Sequence, residues 1–195
     1  MIRIKKNQLM HNVINEIDTK EHHLSGNVLN LTNKKLEVTN DYVVLAKPVG
    51  YKKEIINSWK GDMTGFEGNH NDFHISQNLN SNILEIKERI KHGVLHGLFQ
   101  KSIVACEEIF NLLKTNNNVH DNDNFIISFS IDSYDPEIDG DRDEITDWHS
   151  SVRFTRKRKK TDSWLSSDLE VYNQPAMTID FNKKSIERVP INWWI

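Results

Sequence analysis

The clearest pattern in the chain lies in its last third, where apolar and polar residues alternate with period two. Phe125, Ile127, Phe129 and Ile131 alternate with Ile126, Ser128, Ser130 and Asp132, and Trp148, Ser150, Val152 and Phe154 alternate with His149, Ser151, Arg153 and Thr155. Successive side chains of a strand point to opposite faces, so each run predicts a strand covered on one side, and the two together predict an antiparallel pair. Met177, Ile179 and Phe181 oppose Thr178 and Asp180 in the same way. Asn182-Lys183-Lys184 then reads as a turn and 186–191 as a returning strand, giving a second hairpin beside the first.

Elsewhere the period changes. Leu9, Val13 and Ile17, with Met10 and Ile14 beside them, predict an amphipathic helix within 4–17. Residues 28–32, 36–39 and 42–45 read as two or three short strands separated by polar turns and closed by Pro48 and Gly50. The stretch 60–80 is rich in Gly, Asn, Asp and His and shows no clear period, so it reads as a long exposed loop. Asn82 with Glu85 forms a capping pair for a helical pattern that continues to Lys114. One helix of that length would run roughly 50 Å. The apolar stripe changes phase near Gly93 and Gly97, where helix propensity is lowest, so two helices, about 82–92 and 97–114, or one kinked helix are expected. These elements predict one α+β domain over 1–195, an antiparallel β-sheet packed against two or three helices.

Composition narrows the class without naming a function. The 195 residues are 37% hydrophobic and 27% charged, with net charge −3, which excludes a disordered chain and a basic nucleic-acid condenser. A chain of this size buries roughly 70% of its unfolded surface, so neither metal nor disulfides are needed for stability. The single Cys106 sits among Ile103, Val104, Ala105 and Ile109 and reads as a buried, inert thiol in a reducing compartment. His11, Asn12, Asn15 and Glu16 interrupt any apolar leader, and no run of eighteen apolar residues occurs, so a cytoplasmic protein without a membrane span is expected.

The small net charge conceals a strong separation. From 121 to 147 there are ten acids and one base, Arg142, and immediately afterwards come Arg153, Arg156, Lys157, Arg158, Lys159 and Lys160. Because the acidic stretch joins two strands expected to pair, it should leave the sheet at one end and the basic stretch at the other. Asp135, Glu137, Asp139, Gly140, Asp141 and Asp143 fit positions 1, 3, 5, 6, 7 and 9 of an EF-hand calcium loop. Thr146 stands where the bidentate Glu is required, Pro136 occupies the second position, and the flanks are strands. A solvated loop or a protein-binding surface fits these residues better. The basic stretch, with Trp148 and Trp164 nearby, admits a nucleic-acid reading, but the adjacent acids would repel phosphates, so nucleic acid is an unlikely partner.

Two histidine pairs have metal-ligand spacing, His70 with His74 and His92 with His96. Neither first His is followed by the Glu of a metalloprotease helix. No phosphate-binding Gly-rich loop, nucleophile elbow, CxxC pair or dinucleotide fingerprint occurs, and no cofactor is implied. An acid and histidine cluster of Asp132, Asp135, Glu137 and His149 can be drawn, yet acids on a loop lack preorganised geometry. The expectation is therefore a non-enzymatic inhibitor or immunity-type protein that masks a basic toxin or enzyme. Its expected contact residues are Asp135, Glu137, Asp139, Asp141, Asp143, Glu144, Asp147, Trp148, His149 and Arg153. The alternative is a metal-dependent enzyme or metal-binding domain using Asp135, Glu137, Asp139, Asp141 and Asp143, or His92 and His96.

Overall fold

The computed structural model describes residues 2–16, 27–47, 50–77, 87–133, 148–158, 166–187, 189 and 193–195. Their architecture is α+β. Five antiparallel strands, β1 (Arg3–Lys6), β4 (Asp72–Gln77), β5 (Asn124–Ser133), β6 (Trp148–Arg156) and β7 (Ala176–Asn182), form a sheet of order β1-β7-β5-β6-β4. A separate two-stranded sheet joins β2 (Leu36–Val38) to β3 (Val43–Leu45). The helices are α1 (Gln8–Asn15), α2 (Lys53–Ser58), α3 (Met63–His70) and α4 (Lys87–Thr115).

The alternation in β5, β6 and β7 has the consequence expected of it. Ile127 lies opposite both Phe154 and Ile179, and Phe129 opposite both Val152 and Met177, so the apolar sets of three strands share one face. That face is covered by α4, whose Leu98, Phe99, Ile109 and Leu113 are buried in the same cluster. Phe99 packs on Phe129 and Trp194, and Phe110 on Phe181 and Trp193. Each fully buried side chain of this size stabilises the fold by about 1.5–3 kcal/mol, so the core rests on the α4–sheet interface. Ser102 and Ser150, the polar intruders, satisfy each other at 2.7 Å.

Several sequence-based expectations are corrected. The first helix is shorter than 4–17, because residues 3–6 form an edge strand paired to β7. Asn7 separates the two elements. Its buried side chain accepts from Met10 N, which caps α1, and from Ala176 N, while its amide donates to Gln174 O. Residues 31–33 form a 3-10 turn rather than a strand; the hairpin β2–β3 is the paired part of that region. The stretch 60–80 is not a long loop, since it holds α3 and β4. Helix α4 runs unbroken through Gly93 and Gly97. Glycine costs roughly 1 kcal/mol in a helix, and packing on β4, β5, β6 and α1 outweighs it. After β7 the chain makes a capped 3-10 turn, Lys183–Ile186, so β7 pairs with β5 and β1 rather than with a strand following it. The Asn82–Glu85 capping pair lies outside the described residues.

Candidate functional site

Strand β6 organises the charged residues of the molecule, and its two ends differ. At the C-terminal end, the cations found in the sequence are held internally. Glu67, on α3, is wholly buried, and its two carboxylate oxygens receive the Arg158 guanidinium at 2.8 and 2.9 Å together with the Val43 and Arg156 backbone N–H groups, each at 2.7 Å. Burial pushes the Glu67 pKa up, and the Arg158 guanidinium and the two N–H donors pull against that shift. This knot ties α3, β3 and the end of β6 together. Arg156 donates to the Thr39 and Asn40 carbonyls at 3.0 Å and reaches Asp123 at 3.5 Å. Lys157 pairs with Asp180, and Arg153 with Asp72 at 2.8 Å. The expected basic surface is thus consumed by intramolecular partners from Arg153 to Arg158; Lys159 and Lys160 lie outside the described residues.

At the opposite end, Ser133 and Trp148 are register partners. The fourteen residues 134–147 between them carry seven acids and one base, net −6, and therefore leave and re-enter the sheet at one point. Asp135, Glu137, Asp139, Asp141, Asp143, Glu144 and Asp147, and with them the calcium-loop reading, lie outside the described residues. Trp148 and His149 sit at the root of this connection, both partly buried, with His149 opposite Asp132 on β5. Arg153 is far from it along β6 and tied to Asp72.

The face of the sheet turned away from α4 is polar. Asp72 and His74 of β4 lie opposite Arg153 and Ser151 of β6, and Ser76 lies opposite His149. The side chains form a chain: Arg153 Nη2 donates to Asp72 Oδ2, the same oxygen lies 3.2 Å from His74 Nε2, and His74 Nδ1 lies 3.3 Å from Ser151 Oγ. The His149 ring is tilted beside His74 with centroids 6.2 Å apart. The His74 side chain is 62% exposed. Sequence reading missed this group because β4 read as loop. The alternation Asp72, His74, Ser76 against Phe73 and Ile75 was its available signal.

The first histidine pair is divided between two elements. His70 ends α3 and packs against Phe66, Tyr51 and Trp59, with Nδ1 2.7 Å from Phe66 O, whereas His74 is on β4. His96 Nε2 lies 3.7 Å from Glu16, which caps the C-terminus of α1, and the side chain of His92 lies outside the described residues. Among the described residues no group of three or more His, Cys, Asp or Glu side chains is placed to hold a metal ion. Cys106 is buried, and desolvation raises its pKa, which keeps the thiol protonated and unreactive. No helix among the described residues is long and apolar enough to cross a membrane.

Residues 5–190 match the family described as Uncharacterized protein PM0498 family, and the chain belongs to it. No curated protein and no solved structure matches the chain.

Proposed function

We propose that this protein is a non-enzymatic binding protein of the immunity or antitoxin type, which masks a basic toxin or enzyme with the acidic connection between β5 and β6. The observation that carries this reading is the asymmetry of β6. Its C-terminal cations are spent on Glu67, Asp72, Asp123 and Asp180, while a segment of net charge −6 is rooted at the other end. A concentrated charge of one sign on a rigid hairpin base speeds encounter with an oppositely charged partner and rejects like-charged ones. Trp148 and His149, at the root, supply the aromatic and polar groups on which contact surfaces draw. A cytoplasmic location is part of the same proposal.

Affinity purification with the full-length protein as bait, from cells that make it, tests the reading. The expected result is one basic protein retained in stoichiometric amount at low salt, released at moderate salt, and lost when Asp139, Asp141 and Asp143 are together replaced by Asn. Equal retention by that variant, or absence of any stoichiometric basic partner, contradicts it.

A further inference from the structure

The lysines around α2 have a different fate from the cations of β6. Residues 47–60 carry four lysines, Lys47, Lys52, Lys53 and Lys60, against one acid, Glu54, for a net +3. Lys34 and Lys35 join them at the open end of the β2–β3 hairpin, where Ala46 N donates to Lys35 O at 2.7 Å. All six lysines are exposed, and among the described residues none is paired with an acid. The neighbouring acids are engaged elsewhere: Glu37 accepts from the Tyr42 hydroxyl, and Asp62 from Gly65 N. Helix α2 itself buries none of its residues. Ile55 is 39% exposed, and Tyr51, Ile56 and Trp59 are partly buried, packed against the small core around Phe66. Lys47 Nζ stands over the Tyr51 ring, 4.7 Å from its centre.

We propose that the lysine-rich face of α2, with Ile55 and Trp59 among its lysines, is a docking surface for an anionic lipid bilayer. Charge alone would suit any polyanion. Exposed aliphatic and aromatic side chains set between lysines suit one with an apolar interior, because the rings and the Ile side chain enter the headgroup boundary while the ammonium groups stay at the lipid phosphates. Each lysine brought to such a surface strengthens binding roughly fivefold. The position of α2 in the fold supports the same partner. Trp59 packs α2 on Phe66 and His70 of α3, and Glu67 of α3 accepts from Arg156 N, eight residues along β6 from Trp148. That is a span of roughly 26 Å at 3.3 Å per residue, more than two screening lengths of about 10 Å each at 0.1 M salt. The acidic connection is therefore rooted too far away to be repelled by a bilayer beneath α2.

Partition of the full-length protein onto lipid vesicles, read by co-sedimentation, tests the proposal. Vesicles of phosphatidylglycerol and phosphatidylcholine in equal amounts should retain the protein at low salt and release it as salt rises, and vesicles of phosphatidylcholine alone should not retain it. Lys52→Gln/Lys53→Gln should weaken partition more than about tenfold and Ile55→Asn about fivefold. These positions are exposed, and an unchanged urea midpoint checks that each variant keeps the fold. Lipids brominated in their acyl chains should quench tryptophan fluorescence in the parent and quench it less in Trp59→Phe. Asp139→Asn/Asp141→Asn/Asp143→Asn should bind vesicles at least as well as the parent, which separates this proposal from the partner-binding one. Failure to bind the mixed vesicles, equal binding to phosphatidylcholine alone, or full partition in either the lysine or the Ile55 variant overturns it. So does displacement from the vesicles by a single-stranded oligonucleotide, which would assign the face to nucleic acid.

Discussion

The two ends of β6 are flanked by opposite charge in the sequence, and at one of them the fold neutralises the described cations from within. At the C-terminal end, six cations in eight positions look like a nucleic-acid patch. In the fold, Arg153, Arg156, Lys157 and Arg158 each meet an acid from another element. At the N-terminal end, the acids of 134–147 are concentrated between two paired strand ends, and the four cations that follow them in sequence face acids elsewhere. Charge summed along a chain is therefore a poor guide to charge presented. What decides it is which acids the topology brings alongside, and Glu67, ninety-one residues away from Arg158, is the clearest case.

That contrast can be broken at its strongest point first. Arg158→Ala leaves Glu67 buried and unneutralised, and urea denaturation should show a loss of about 3–5 kcal/mol. Replacing both partners with Met should recover most of it, because the desolvation of two charges is removed along with their attraction. Arg156→Ala, which frees the Thr39 and Asn40 carbonyls, should cost about 1.5–3 kcal/mol by the same measurement. Lys157→Ala removes an exposed pair with Asp180 and should cost no more than about 1 kcal/mol, an effect that shrinks further in salt. A gradient in any other order would mean that this end of β6 is not neutralised from within.

The smallest effect appears only in alkali. Burial first, then the hydrogen bond and charge of Glu37 and the charge of Asp41, push the Tyr42 phenol up to about 12. The folded state keeps this proton longer than the unfolded chain, so its contribution to stability is complete below the ordinary tyrosine value of about 10 and is lost as pH rises from there toward about 12. Phenolate absorbance should accordingly show a late ionisation near pH 12, and Tyr42→Phe should remove that step.

Sequence pattern was informative where one element had one apolar face. β5, β6 and β7 each alternate cleanly, their pairing follows, and the buried thiol of Cys106 was legible from its apolar neighbours. It failed where burial is arranged from a distance. Helix α3 carries two glycines and buries Glu67 and Thr64 beside Phe66, a pattern that looks polar until Arg158 is brought to it. β4 offers two apolar residues, too few for a period. α4 packs on both the sheet and α1, so from Leu95 onward its buried positions are wider than a single stripe. The candidate site divides likewise. The acidic connection is plain in the sequence, whereas the Asp72, His74, Ser151 and Arg153 group depends on a strand pairing about 80 residues apart.

The account's central claim, that the acids are presented and the cations absorbed, is tested most directly by two probes on the same protein. A decalysine peptide and a single-stranded oligonucleotide are titrated into the full-length chain at low and moderate salt. The account predicts salt-sensitive binding of the peptide, weakened when Asp139, Asp141 and Asp143 become Asn, and no binding of the oligonucleotide. Oligonucleotide binding that collapses with salt, or peptide binding indifferent to the three aspartates, would contradict it.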